Sequence, residues 1–305
     1  VLGYFGPAGT FTHQALLAVS DAEAVPFPTV GQALDAVRSG EIEAAMVPIE
    51  NSVEGGVSAT LDILATGRRL MITNEVLIPV QFNLYARPGT TIGQVRRVLT
   101  HPHSAAQTRG WMAANLPGVV VTEGGSNAAS AQEVADPESR YDAAICGQIA
   151  GETYGLVAVA TGIADNASAV TRFVLVSRPA PPPPPTGADK TTLVAFMHTD
   201  HPGALLEILE QFAGRGVNLC RIESRPTKTG LGNYCFSIDA EGHLRDPRVA
   251  EAMLGLHRIC EDVVFLGSYQ RADGVRPTIA RGFTDHDFTA ARQWYAGLVN
   301  PDDEL

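Results

Sequence analysis

The sequence predicts two α/β lobes followed by a smaller α+β domain, on three observations. Apolar strands alternate with helical patterns through the first 177 residues. A proline run, "RPAPPPPPTGADK" (Arg178 to Lys190), then interrupts them. After it the order becomes strand, helix, strand, strand, helix, strand. The 305 residues exceed what one core usually holds, and 45% apolar residues suffice to fill more than one.

In order, "VLGYF" reads as a strand, followed by a helix from about Thr10, a helix from Thr29 through Val37, the strand "AAMVPI" and a helix from about Val57. Leu70 to Ala86 is too rich in β-branched and aromatic residues for a helix and suits strands that leave one lobe and enter a second. There follow "VRRVLT", a helix near His103 to Ala113, "GVVVTEG", a helix over Ser126 to Ala135, "DAAICG" and another helix. Such alternation predicts parallel sheets covered on both faces. The strand "VTRFVLV" (Val170 to Val176) returns to complete the first lobe, so two crossings join the lobes, with a cleft between them where ligands of such sheets lie. The expected boundaries are 1–77 with 157–177 for lobe 1 and 78–156 for lobe 2.

The proline run, 178–190, cannot join a sheet and favours a stiff spacer. Beyond it "TTLVAFM", "GALLEILEQFAGRG", "NLCRIESRP", "NYCFSID", "PRVAEAMLGLHRIC" and "VVFLGSY" give the ferredoxin-like βαββαβ order over 191–270. Its open sheet edges favour pairing with a second copy. In the extension, 271–305, a helix around Asp287 to Leu298 puts Phe288, Ala291, Trp294 and Leu298 on one face, expected to dock on the body or on a neighbouring subunit.

Charge and composition exclude several classes. A net charge of −11 without a Lys/Arg run disfavours nucleic acid. No apolar run reaches the roughly 18 residues of a membrane span, and the start "VLGYFGPAGT" carries neither a basic leader nor a cleavage-like site, so a cytoplasmic protein is expected. Cys146, Cys220, Cys235 and Cys260 form no CxxC pair and are expected to be buried thiols rather than disulfides or zinc ligands.

Three strand ends carry polar clusters. "FGPAGTFTHQA" follows the first strand, and Thr10 either caps a helix or, with free amides, seats a carboxylate. "VPIENSVEGG" brings Glu50, Asn51, Ser52 and Glu54 to the carboxyl end of a buried strand, where ligands of doubly wound lobes bind. "VLTHPHSAAQ" repeats the arrangement in the second lobe with Thr100, His101, Ser104 and Gln107; no metal is expected there, because histidines at i and i+2 across a proline rarely converge. Thr171 and Arg172 stand at the mouth of the returning strand. Without a cysteine or a serine–histidine pair in evidence, the set suits binding a polycarboxylate and easing departure of a leaving group.

Together, "GPAGTFT", "PIENSVEGGV", "THPHSAAQ" and "TRF", in this order, resemble the prephenate dehydratase family, and "GALLEIL" with "IESRP" is similar to its ACT regulatory domains. The resemblance runs to about Tyr269; the linker is longer than the family's usual one, and no counterpart is assigned to the tail. It implies a periplasmic-binding-protein-like catalytic domain that loses carbon dioxide and the ring hydroxyl of prephenate to give phenylpyruvate, with no cofactor or metal. Carried over, Thr171 donates a hydrogen bond or proton to the leaving hydroxyl, and Arg172 either helps fix a carboxylate or is a structural ion-pair partner. Thr10, Asn51, Ser52, Thr100 and Gln107 line the cleft, Glu50 orients Thr171 or a relay, and lobe closure brings Gln107 onto the substrate. The resemblance also implies phenylalanine as allosteric effector at Gly203, Ala204, Leu205, Asn218, Glu223, Ser224, Arg225 and Pro226, between ACT domains of a homodimer or homotetramer. Phenylalanine would favour a more compact and less active pairing. Two alternatives stay open: an arogenate dehydratase, which would want a carboxylate such as Glu50 or Glu54 near an ammonium, and a non-catalytic two-lobed solute-binding module.

Overall fold

Helices in the first part of the chain start where the sequence supplies a cap. Thr10, Thr29 and Ser126 stand in extended backbone, and their hydroxyls accept from the amides of His13, Gln32 and Ala129 at 3.3, 3.1 and 3.0 Å. The computed structural model describes residues 1–198, 201–227 and 234–300. The chain divides into two compact units, Val1–Thr60 with Val76–Ser177 and Leu61–Glu75 with Arg178–Leu305.

The first part runs β1 (Leu2–Phe5), α1 (Phe11–Leu17), β2 (Ala24–Phe27), α2 (Val30–Ser39), β3 (Ala44–Asn51), β4 (Gly55–Gly56), α3 (Ser58–Ala65) and β5 (Met71–Pro79). It continues through β6 (Asn83–Ala86), β7 (Arg97–Thr100), α4 (Pro102–Gln107), α5 (Arg109–Asn115), β8 (Val120–Glu123), α6 (Asn127–Ala135), β9 (Ala143–Cys146), α7 (Gln148–Thr153), β10 (Val157–Ala160) and β11 (Val170–Ser177). Two sheets result, ordered β2-β1-β3-β11-β5 and β10-β6-β9-β7-β8. Both are mixed rather than parallel. β1 runs parallel to β2 and β3, whereas β11 re-enters from the second lobe and lies antiparallel to β3. In the second sheet β6 enters by the other crossing and opposes both β9 and β10. Val157–Ala160 thus belongs to the second sheet, not to lobe 1 as expected. The crossings brace each other, since Val80 N–H donates to Ala169 O at 2.8 Å and Ile163 N–H to Phe82 O at 2.9 Å.

The expected helix from His103 to Ala113 is two helices. Thr108 leaves helical backbone between them (φ −124°, ψ 6°), and the Asp165 carboxylate takes the Gly110 and Trp111 amides at the start of α5, both at 2.9 Å.

The second unit contains β12 (Asp189–Phe196), α8 (Ala204–Ala213), β13 (Leu219–Pro226), β14 (Tyr234–Glu241), α9 (Pro247–Ile259), β15 (Asp262–Gln270) and α10 (Asp285–Val299). Asn233, expected to open β14, lies outside the described residues. The antiparallel sheet, ordered β13-β14-β12-β15, is ferredoxin-like. Leu193, Ile208, Phe212, Ile238, Val249 and Leu256 build its core between sheet and helices. Leu61–Glu75 joins this unit for physical reasons: Lys190 Nζ lies 2.7 Å from Glu75 Oε2 in a buried pair, and a Cβ on Gly267 would stand 2.3 Å from Ile72 O.

Two further expectations change. Cys220 is exposed on the edge strand β13, while Cys146, Cys235 and Cys260 are buried; all four are free. The tail helix, capped by Thr284 and Asp287, touches the body through Arg292 and Glu251 (3.0 Å), with Phe283 against Gly216 just before it. Within this chain its predicted apolar face is covered only at Phe288, which is half-buried, while Trp294 and Leu298 are exposed.

Candidate active site

The β1–α1 turn, the carboxyl end of β3 and the amino end of β11 meet because β11 opposes β3, pairing Thr171 with Asn51 and Arg172 with Glu50. Facing them in the same unit are His101, the start of α6 and Gly147 before α7. Between these lies a cavity of about 240 Å³, walled on one side by Thr10, Phe11, Pro48, Thr171 and Phe173.

Thr171 Oγ accepts from Asn51 Nδ2 at 2.9 Å. Asn51 Oδ1 takes the Val53 and Glu54 amides at 2.8 and 3.3 Å, which fixes the amide with its NH₂ toward Thr171. The Thr171 hydroxyl proton is left to point at a ligand. Alternation along β11 sets Thr171 and Phe173 on the cavity side and Arg172 on the other. Arg172 is buried, 3.3 Å from Glu50 Oε2, and does not line the cavity. A bulge at the register break between Arg172 and Phe173 leaves Ile49 as the extra residue of β3.

Thr10 lines the cavity while its hydroxyl donates to Phe5 O at 3.2 Å. Capping and lining are thus compatible. His13, one turn on, accepts the Gly9 amide on Nδ1 at 3.1 Å and stacks on Tyr4; burial holds its pKa below the ordinary value. Ser52 is structural, exchanging bonds of 2.9 Å with the Val170 backbone. Thr100 is fully buried and donates to Ile145 O and Asn127 Oδ1 at 3.0 and 3.2 Å. Gln107 does not line the cavity, and its Oε1 is buried without a hydrogen-bond partner among the described residues.

The sequence reading missed Ser126 and Asn127. Asn127 Oδ1 accepts from Thr100 Oγ, His101 N–H and Ser104 Oγ at 3.2, 3.2 and 2.9 Å, so its NH₂ remains for a ligand. The signal was present: "EGGSN" is another strand end running into a helix start. His101 lines the cavity as a neutral imidazole, its pKa lowered by burial and then by His103. The two rings stack at 4.8 Å, with His101 Nδ1 accepting the His103 amide, so they do not converge on one point; His103 bonds Glu54 across the cleft.

In the second unit a cavity of about 740 Å³ is lined by Gly203, Ala204, Leu205, Ser224, Tyr234 and the end of α3. Gly203 adopts φ 96°, which favours glycine, at the cap of α8. Asn218, Glu223, Arg225 and Pro226 do not line this cavity. Glu223 lies between Arg221 and Arg225 at 3.7 and 3.6 Å, and Asn218 O accepts the Glu241 amide at 2.8 Å.

Residues 2–181 match the prephenate dehydratase family model, and residues 191–258 match that of the ACT domain. The chain belongs to the prephenate dehydratase family. A curated prephenate dehydratase of Amycolatopsis methanolica is 48% identical over 301 residues, 97% of each chain. The crystal structure of the Arthrobacter aurescens prephenate dehydratase in complex with L-Phe is 51% identical, with a TM-score of 0.93 over 98% of this chain and 99% of that one. That coverage leaves fewer residues unmatched than the tail holds, so the tail has a counterpart in this prephenate dehydratase. A protein described as a novel type of quorum quenching acylase is 31% identical, with a TM-score of 0.78 over 88% of this chain and 97% of its own.

Proposed function

We propose that this chain is a prephenate dehydratase that works in the first-unit cavity and is regulated by phenylalanine held in the second unit. The observation that carries the catalytic reading is the Thr171 hydroxyl, oriented by Asn51 at the wall of a cavity that Asn127 also lines. Loss of the ring carboxylate as carbon dioxide sends its electron pair into the ring; the C–O bond breaks, and the departing hydroxide takes a proton to leave as water. Aromatisation drives the step, so the protein's part is orientation and stabilisation of the leaving oxygen. Thr171 supplies that hydrogen bond. Asn127 NH₂ and the amide-rich starts of α1 and α6 suit the substrate's carboxylates. Arg172 and Glu50 act behind the wall, holding the Thr171–Asn51 pair in register.

The carboxylates an arogenate ammonium would seek are both engaged, Glu50 with Arg172 and Glu54 with His103, which favours the keto acid. The likeness to an acylase raises amide hydrolysis as a second reading. The hydroxyls of Thr10, Ser126 and Thr171 bond main-chain groups or an amide, not an imidazole, which disfavours each of these three as a nucleophile.

The fully described wall at Gly203 to Leu205, beside Ser224, supports binding of an amino acid in the second unit. Exposed Leu206 and Ile222, with β13 as an edge strand, support self-association through this unit into a dimer or tetramer. No described helix is long and apolar enough to cross a membrane. A cytoplasmic location is proposed from the family's biosynthetic reaction. The deciding experiment is phenylpyruvate release from prephenate by the purified protein beside a folded Thr171→Ala variant. Turnover that falls about 10²-fold or more in the variant supports the reading; an inert wild type sinks it.

A further inference from the structure

We propose that helix α3 couples effector occupancy in the second unit to the catalytic cavity, with the Asp62–Arg225 ion pair as its joint. This rests on the reading that phenylalanine occupies the second-unit cavity.

The helix belongs to both units, which divide between Thr60 and Leu61. At its first turn, fully buried Thr60 donates from Oγ to Pro48 O at 2.6 Å, and the Val57 amide just before it bonds Ile49 O at 2.9 Å. Pro48 is a wall residue of the catalytic cavity, three positions before Asn51. At the other end, Leu64, Ala65, Thr66 and Gly67 form part of the wall of the effector cavity. One two-turn helix therefore bonds a wall strand of the catalytic cavity at its start and lines the effector cavity at its end.

Asp62 lies between these ends. Its Oδ1 is 3.0 Å from Arg225 Nη2 and 3.1 Å from Arg225 Nε, with 18% and 19% of the two side chains exposed, so solvent screens the pair only weakly. Arg225 extends a charged row along β13: Glu223 joins it to Arg221, which is held by the buried carboxylate of Asp239 at 3.0 Å. Ser224, between Glu223 and Arg225 in sequence but on the opposite face of β13, lines the effector cavity. A ligand that shifts β13 there changes the alignment of Arg225 with Asp62. A partly buried ion pair contributes little net stability but holds one register firmly, and it offers two discrete arrangements, made or broken. The displacement passes along α3 to Thr60 and Pro48, and so to the strand that holds Asn51 against Thr171.

The test uses the full chain, prephenate turnover with and without saturating phenylalanine, and phenylalanine binding by calorimetry. For Asp62→Asn we expect kcat/KM without effector within about twofold of wild type, retained phenylalanine binding, and an activity ratio moved at least about halfway to one. Thr60→Val, which cuts the link at the other end of the helix, moves the ratio the same way, and it decides the matter if Asp62→Asn does not fold. Asp62→Glu, which keeps the charge, restores much of the response. Wild-type ratios in both Asp62→Asn and Thr60→Val overturn the coupling. A wild-type protein that neither binds nor responds to phenylalanine overturns the effector reading itself.

Discussion

Replacing Thr171 with valine keeps the shape of the side chain and removes its hydroxyl. Two interactions disappear together. The first, on the role proposed for Thr171, is the hydrogen bond offered to the leaving oxygen; deleting one such preorganised donor raises a barrier by about 3–4 kcal/mol, or about 10²–10³ in rate. The second is the 2.9 Å bond from Asn51 Nδ2, whose loss leaves a half-buried amide short of a partner at a cost of about 1–2 kcal/mol in stability. The donor acts only as the C–O bond breaks, so kcat takes the loss while KM changes little. Phenylpyruvate formation over a range of prephenate concentrations separates the two, and a thermal melt checks the fold. Thr171→Ser retains the hydroxyl and is expected to keep most of the activity. A folded Thr171→Val enzyme within about tenfold of wild type would refute the role of Thr171, because no other hydroxyl on this wall is oriented by Asn51.

Three further outcomes are expected. Lys190→Met strips the buried Glu75 carboxylate of its 2.7 Å partner and should cost about 3–5 kcal/mol, read as a fall in melting temperature; Lys190→Met with Glu75→Leu should recover much of it, and a double variant no better than the single would count against the pairing. His13 is held neutral by burial, so its contribution is present above the ordinary pKa of 6.5 and is lost as pH falls below it, when a protonated Nδ1 no longer accepts the Gly9 amide. His13→Gln, which accepts without titrating, should flatten that part of the pH–stability curve, and an unchanged curve would exclude His13 as its source. Gly9→Ala places a Cβ 3.0 Å from the Ala150 Cα at φ 85°, and a melting temperature unchanged from wild type would contradict the expected destabilisation of about 1–2 kcal/mol.

Much of this was legible in the chain itself, where the information is local. Caps at Thr10, Thr29 and Ser126, the strand periodicities, the proline spacer and the polar strand ends announce two lobes, a βαββαβ domain and a candidate site at Asn51 and Thr171. What local pattern cannot carry is which way a side chain faces once strands pair. Arg172 looks like a ligand for a carboxylate because it neighbours Thr171, yet alternation turns it behind the wall to Glu50. Thr100 and Ser52 are polar at the right strand ends but spend their hydroxyls on Asn127 and Val170, and Asn127, unremarkable in its helix, lines the cavity.

The sequence by itself determined most of the elements, their order and the family, because these follow from hydrophobic period, turn chemistry and short motifs. Only the tertiary structure decided that the sheets are mixed, that Cys220 and Trp294 are exposed, and that Leu61–Glu75 groups with the second unit. Each of those depends on contacts between residues far apart in the chain, such as Glu75 with Lys190 and Asp62 with Arg225, whose geometry exists only after the strands are in register.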